Sequence, residues 1–133
     1  MRMWRALGTE WLLEQWGAWA RMPEGARLSY PSVSNFAKYQ GGGIKEPEIE
    51  LELALAVDRI VKLTSLVNED FELALCERFV RRRTQEKIAR SLGMPRTEAV
   101  NTLNRAVAWV DGYLHSVAHM LEQELSSSID NVA

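Results

Sequence analysis

The sequence from Thr84 to Val110, "TQEKIARSLGMPRTEAVNTLNRAVAWV", contains two helical patterns separated by a strong turn signal. Thr84 is placed as the N-cap of the first helix, and Gly93 permits the left-handed backbone that ends it. Pro95 starts or immediately precedes the second helix. The inward positions of the two helices are predicted to be Ile88, Ala89, Leu92, Ala99, Leu103, Ala106 and Val110. This spacing is typical of a helix-turn-helix, in which a small residue such as Ala89 lets two helices cross closely.

Other parts of the chain also carry helical patterns. Residues 9–22 are predicted to form a helix with Thr9 as its N-cap and with a buried stripe of Leu12, Trp16 and Trp19. Two prolines and a glycine predict a loop over 23–31. A short helix over 32–40 is expected to end at three consecutive glycines, Gly41 to Gly43, which indicate a flexible joint because no phosphate-loop spacing is present.

The segment from Ile49 to Val67 is ambiguous, because its apolar residues first alternate as they would in a half-buried strand. Glu, Leu and Ala are strong helix formers, and helical spacing continues for about five turns. We therefore predict a helix, with Ile49, Leu53, Val57, Ile60, Leu63 and Val67 on its buried face. Asn68 is predicted to cap a further helix, whose first turn holds Glu69 and Asp70 and whose buried stripe is Phe71, Leu75, Cys76 and Phe79.

A chain of 133 residues suits one compact domain with a core of its own. Five helical segments and no convincing sheet predict an all-α fold. We expect a single small helical domain over residues 1–133, with the helix-turn-helix at about 84–110.

Charge is distributed unevenly along the chain. From Arg78 to Arg105 there are eight basic and two acidic residues, a local charge of +6, whereas the whole chain carries −2 and the remainder therefore −8. Much of the acidic excess lies in "EPEIELELALAVD", between Glu46 and Asp58. A polarised molecule suits one-sided contact with a polyanion, although a solvated helix face gives the same pattern.

The polar residues of this basic region are suited to contact with double-stranded DNA. Their side chains can hydrogen-bond base edges and phosphates. The predicted DNA-binding residues are Arg81, Arg82, Arg83, Lys87, Arg96, Thr97, Asn101, Asn104 and Arg105.

Other kinds of site have weaker support. His115, His119 and Glu122 share a helix face, but there is no HExxH motif and no evident fourth ligand, so we expect no metal and no cofactor. Cys76 lies on an apolar stripe and is expected to be a buried thiol, and the tryptophan stripe is expected to be core. We find no catalytic motif and expect no enzyme. With no membrane span or signal peptide in the sequence, we expect a cytoplasmic protein with no membrane contact.

The helix-turn-helix resembles region 4 of bacterial sigma factors, which shares an Ile-Ala pair after an acidic residue, a Leu-Gly turn, and a Leu followed two residues later by Arg-Ala. A more particular resemblance joins "WGAWA" at Trp16 to Ala20, the "SYPS" loop and "NRAVAWVDGYL" at Asn104 to Leu114. Together they are similar to the late-gene antiterminator Q proteins of lambda-like phages, in the branch without a zinc motif.

This resemblance implies a DNA-binding factor that engages RNA polymerase paused near the late promoter with sigma attached. Such factors then travel with the enzyme through terminators. The implied partners are double-stranded DNA, RNA polymerase and sigma factor, and a second copy on the DNA is left open. Two alternatives remain at this level: a simple helix-turn-helix regulator or sigma-like factor acting at initiation, and a protein-interaction module whose helix-turn-helix is only structural.

Overall fold

The computed structural model describes residues 8–29, 47 and 49–132, and all regular elements in this part of the chain are helical. The helices are α1 (Thr9–Ala20), α2 (Glu24–Ser29), α3 (Leu51–Val67), α4 (Glu69–Leu75), α5 (Gln85–Leu92) and α6 (Arg96–Val132). A π-helical turn, Cys76–Val80, continues α4. The prediction of an all-α fold is confirmed, whereas the predicted short helix over 32–40 and the joint at Gly41 to Gly43 lie outside the described residues.

Tryptophans of α1 occupy the centre of the core, as predicted. Trp16 and Trp19 are buried among side chains of α3, α4 and α6, and Trp11 is half-buried beside them. Their indole nitrogens still find acceptors, because Trp16 donates to Asp58 Oδ1 at 3.2 Å and Trp19 to the Arg27 carbonyl at 3.1 Å. A buried indole N–H needs such a partner, so these bonds fix how α1 sits against α2 and α3.

The start of α1 differs from the prediction. Gly8, with φ 90°, occupies the N-cap position, and no side chain caps the helix. Thr9 is a buried residue of the helix itself, and its hydroxyl donates to Asp111 Oδ1 on α6. The N-cap prediction for Thr9 was wrong because Gly8 precedes the helix instead, and Thr9 lies within it with its hydroxyl turned towards a distant carboxylate. The helix also ends at Ala20, two residues before the predicted end.

Part of the predicted loop over 23–31 is helical. The Pro23 carbonyl accepts hydrogen bonds from the main-chain N–H groups of Ala26, at 2.9 Å, and Arg27, at 3.0 Å, as α2 begins. Proline suits the position before a helix, where its missing N–H is not needed. The loop prediction failed here because Pro23 flanks the helix and does not interrupt it.

α3 is a helix, as predicted, and Val57 and Ile60 of the predicted stripe are buried, but its last two turns bury a different face. Its buried residues are Ala54, Val57, Ile60, Val61 and Thr64, whereas Leu63 and Val67 are 37% and 54% exposed. Leu63 comes six residues after Val57, and at about 100° per residue it lies about 120° away from Val57 around the helix axis. Thr64 fits the core in its place because its hydroxyl donates to the Val61 carbonyl.

α1 packs closely against the π-helical turn that follows α4. Asn68 caps α4 by accepting from Asp70 N at 2.9 Å, as predicted, and Phe71, Leu75 and Phe79 are buried, while Cys76 is half-buried. A Cβ atom built on Gly17 would lie 2.0 Å from the Phe79 carbonyl oxygen. Only glycine therefore fits this position on α1.

Candidate nucleic-acid interface

The turn between α5 and α6 has the geometry that the sequence predicts. Thr84 Oγ1 accepts from Lys87 N at 3.4 Å, and Gly93 ends α5 in the left-handed region with φ 68°. Met94 N donates to the Ala89 carbonyl at 3.1 Å, which closes the turn before α6 begins at Arg96. Ala89 is buried where α5 packs against α6. The chain thus places two helices and a three-residue turn at the predicted positions.

The first turns of α6 separate apolar from polar side chains. The inward residues Ala99, Leu103, Ala106 and Val110 are buried, and Thr102 is buried with its hydroxyl donating to the Glu98 carbonyl at 2.9 Å. The residues predicted to contact DNA on this helix are exposed: Arg96, Thr97, Asn101, Asn104 and Arg105. Their side chains therefore form one accessible polar face on about three turns of a helix fixed by its opposite side. We refer to these five residues as the α6 polar face.

Arg96 is held in position by the first residue of α5. Its Nε and Nη2 atoms donate to Gln85 Oε1 at 3.3 and 3.1 Å, and its Nη1 atom lies 4.0 Å from Glu86 Oε1. Gln85 is neutral, so it orients the guanidinium without neutralising it. Sequence alone does not indicate this role of Gln85, because nothing in an eleven-residue separation shows that the starts of the two helices meet.

The three consecutive arginines before α5 have different surroundings. Glu77, buried in the π-helical turn, lies between two of them: its Oε1 accepts from Arg81 Nη1 at 2.7 Å, and its Oε2 lies 3.0 Å from Arg83 Nε. The second contact is poorly aligned, and Oε2 receives no hydrogen bond among the described residues. Arg81 and Arg83 thus neutralise a buried carboxylate. The sequence predicts both residues to bind DNA but does not predict this structural role.

Only some acidic residues of the segment from Glu46 to Asp58 are exposed and without a partner among the described residues. Glu46 and Glu48 lie outside the described residues, and Glu50 and Glu52 are exposed at the start of α3. Asp58 accepts from Trp16 through Oδ1 and pairs through Oδ2 with Lys62 at 2.8 Å. The hydrogen bond and charge of Asp58 raise the pKa of Lys62 above its ordinary value. The acidic surface of the described residues in this segment is therefore Glu50 and Glu52.

Comparison with protein families decides the identity of the chain. The family model of phage antitermination protein Q matches residues 8–122, which include the α6 polar face and the turn before it. The chain belongs to the phage antitermination protein Q family. Membership supports an antiterminator role in phage transcription, which is regulatory and involves RNA polymerase. No significant match was found among curated proteins or among solved structures.

Other candidate groups in this Q-family chain show no second site among the described residues. Burial raises the pKa of the Cys76 thiol to about 11, so a nucleophilic thiolate is disfavoured near neutral pH. His115 Nδ1 lies 3.4 Å from Asp111 Oδ1 and 2.8 Å from the Asp111 carbonyl. No cluster of metal-ligating side chains occurs in the part of the chain that the structure describes, and none of its helices is long and apolar enough to cross a membrane.

Proposed function

We propose that this Q-family protein binds duplex DNA through the α6 polar face and, from that site, acts on promoter-proximal paused RNA polymerase so that it passes downstream terminators. The observation that carries the proposal is the α6 polar face itself. It combines guanidinium and amide groups, which suit guanine and adenine edges, on a helix whose other side is fixed in the core. An α-helix of this kind fits the major groove.

The proposed contacts fall into two kinds. Arg96, Thr97, Asn101, Asn104 and Arg105 are assigned to base edges and nearby phosphates. Arg81, Arg82, Arg83 and Lys87 are assigned to phosphates, with Arg81 and Arg83 sharing their charge with Glu77. Phosphate contacts set position and salt dependence, whereas base contacts set sequence preference.

Polymerase and sigma are proposed to contact the rest of the molecule, principally Glu50 and Glu52 at the start of α3 and the exposed side of α6 beyond Arg105. An acidic surface is repelled by DNA and is therefore available to protein. The proposed unit is one antiterminator-like domain over residues 1–133, acting in the cytoplasm of the bacterial host. One helix in one groove binds DNA modestly, so a second copy on the element, or polymerase itself, would add effective concentration without new base contacts.

Replacing Arg96 or Asn101 by alanine is expected to weaken binding to the preferred DNA by about 1–3 kcal/mol each, because a bidentate base contact is lost. The preferred element would first be selected from a random duplex library with the wild-type protein. Binding of each variant to that element and to its single-base variants would then be measured at fixed salt. Preference should relax at one base position for each substitution.

Two further variants distinguish contacts to bases from sequence-independent attraction to the DNA phosphates. Lys87→Ala should weaken binding to every duplex and reduce the salt slope by about 1, as the loss of a phosphate contact does. Arg59→Ala removes the same charge from an exposed position on α3 and should change neither the affinity for DNA nor the salt slope. An unchanged sequence preference in both R96A and N101A would contradict the assignment of the α6 polar face to base edges.

A further inference from the structure

Arg82 differs from the arginines on either side of it. Its φ of 53° lies in the left-handed region, which a residue with a side chain rarely adopts unless its surroundings require it. This backbone turn separates the side chain of Arg82 from those of Arg81 and Arg83, which share Glu77. Among the described residues no acidic group pairs with Arg82.

Arg21 reaches the same place from the end of α1. Its Nη1 atom donates to the carbonyl oxygens of Phe79 at 2.7 Å and Val80 at 3.2 Å, the last residues of the π-helical turn. Val80 is two residues before Arg82, so the guanidinium end of Arg21 lies near the main chain from which the Arg82 side chain starts. The two carbonyls fix one edge of the Arg21 guanidinium, and its other nitrogen atoms make no hydrogen bond to described residues.

The hydrogen bond to the Val80 carbonyl holds the Arg21 guanidinium near the main chain that leads to Arg82. Burial, followed by the positive charge of Arg82, lowers the pKa of Arg21 below its ordinary value. No carboxylate among the described residues pairs with Arg21. Two guanidinium groups near the end of the π-helical turn, without an acid between them, form a local excess of positive charge, which a bound anion would neutralise.

We propose that Arg21 and Arg82 together hold one phosphate of the DNA duplex, immediately before the helix-turn-helix. This inference rests on the proposed DNA-binding function and adds Arg21, which follows α1, to the interface. Arg82 is three residues from Gln85, a main-chain span of at most about 11 Å, and Gln85 holds Arg96. The pair therefore lies at the same edge of the molecule as the start of the α6 polar face, where a phosphate flanking the contacted bases would pass.

Salt dependence tests the pairing, because the slope of log K against log salt concentration counts the phosphates neutralised, at about 0.9 for each. Binding of a 30-base-pair duplex of mixed sequence would be measured by fluorescence anisotropy across a sodium chloride series. The proteins would be wild type, R21Q, R82G, the double variant, and R59Q as the charge-matched control. Glycine suits the left-handed backbone at position 82, so R82G removes the guanidinium without straining the fold.

Each single variant is expected to bind about tenfold more weakly at low salt, as the loss of a charge-assisted hydrogen bond predicts. The double variant should lower the slope by about 0.9, corresponding to one shared phosphate, and R59Q should retain the wild-type slope. A fall of about 1.8 in the double variant would show two separate contacts and overturn the pairing. Wild-type affinity of R82G at low salt would overturn it even if R21Q did not fold.

Further variants distinguish a failure of the proposed phosphate contact from a failure of the proposed DNA-binding function. R21K keeps the charge on a donor nitrogen, so it should retain the low-salt affinity that R21Q loses. If R96A loses sequence preference while R21Q and R82G bind like wild type, the phosphate pair is wrong and the DNA-binding function stands. If wild type does not bind the duplex at any salt concentration, both are wrong.

Discussion

Replacing Gly17 by alanine is expected to lower the free energy of unfolding by about 3 kcal/mol or more, the upper end of the usual cost of overpacking a core. The new methyl carbon would lie 2.0 Å from the Phe79 carbonyl oxygen and 2.7 Å from its carbonyl carbon. Both are main-chain atoms, so no side-chain rotation relieves the clash and α1 must separate from the π-helical turn. Arg21 donates to the same carbonyl, and its hydrogen bond should be lost with the displacement.

Urea unfolding followed by tryptophan fluorescence would measure this change, since Trp16 and Trp19 lie in the affected core. Gly112→Ala is a matched control, because a Cβ atom on this glycine of α6 meets no atom within 4 Å. Alanine is favoured over glycine within a helix by about 1 kcal/mol, so G112A should be at least as stable as wild type. Equal stability of G17A and G112A would contradict the close approach of α1 to the π-helical turn.

Removing both arginines from Glu77 is expected to destabilise the fold by about 3 kcal/mol, because a buried carboxylate would lose its partners. Glu77 is 2% exposed, whereas Arg81 and Arg83 are partly in solvent, so the variant R81M/R83M leaves the charge buried while deleting its neutralisation. The third substitution, Glu77→Met, should restore most of the loss. An ion pair can be replaced as a whole by apolar groups of similar volume at little cost. Removing only its positive partners instead leaves an uncompensated charge in the protein interior.

The same unfolding measurement applied to R59M/R90M controls for the loss of two positive charges at exposed positions. That control should unfold close to the wild-type midpoint. If R81M/R83M did so too, Glu77 would not depend on these arginines, and both would be freely available to DNA.

Local chemistry explains which parts of the fold the sequence predicts well. Thr84, Gly93 and Pro95 act through their own main-chain geometry, so the ends of α5 and the start of α6 can be placed without knowing what packs against them. The inward residues of α6 follow from helical spacing alone, because one side of the helix faces a continuous core. These are also the features that position the candidate interface.

Tertiary partners explain the errors. Thr9 could not be assigned correctly from sequence, because its acceptor, Asp111, is more than a hundred positions away. Leu63 and Val67 fit a helical stripe, yet they are exposed because the neighbours of α3 cover Val61 and Thr64 instead. Likewise, three adjacent arginines look equivalent until the buried Glu77 and the left-handed backbone of Arg82 separate their roles.

Transcription downstream of the binding site distinguishes an antiterminator from a repressor or an initiation factor. The template would carry a promoter, the selected DNA element, a promoter-proximal pause and an intrinsic terminator, transcribed by purified polymerase with sigma. E50K/E52K would accompany wild type and R96A, since reversal of these exposed charges should preserve or strengthen DNA binding while weakening a polymerase contact. A second template without the element controls for general effects on elongation.

The fraction of transcripts that pass the terminator is the measurement that tests the function most directly. Wild-type protein should raise it only on the template with the element, R96A should return it towards the value without protein, and E50K/E52K should bind the template without raising read-through. If the wild-type protein occupies the element and termination is unchanged, the chain does not act by antitermination, and a regulator acting at initiation becomes the better account.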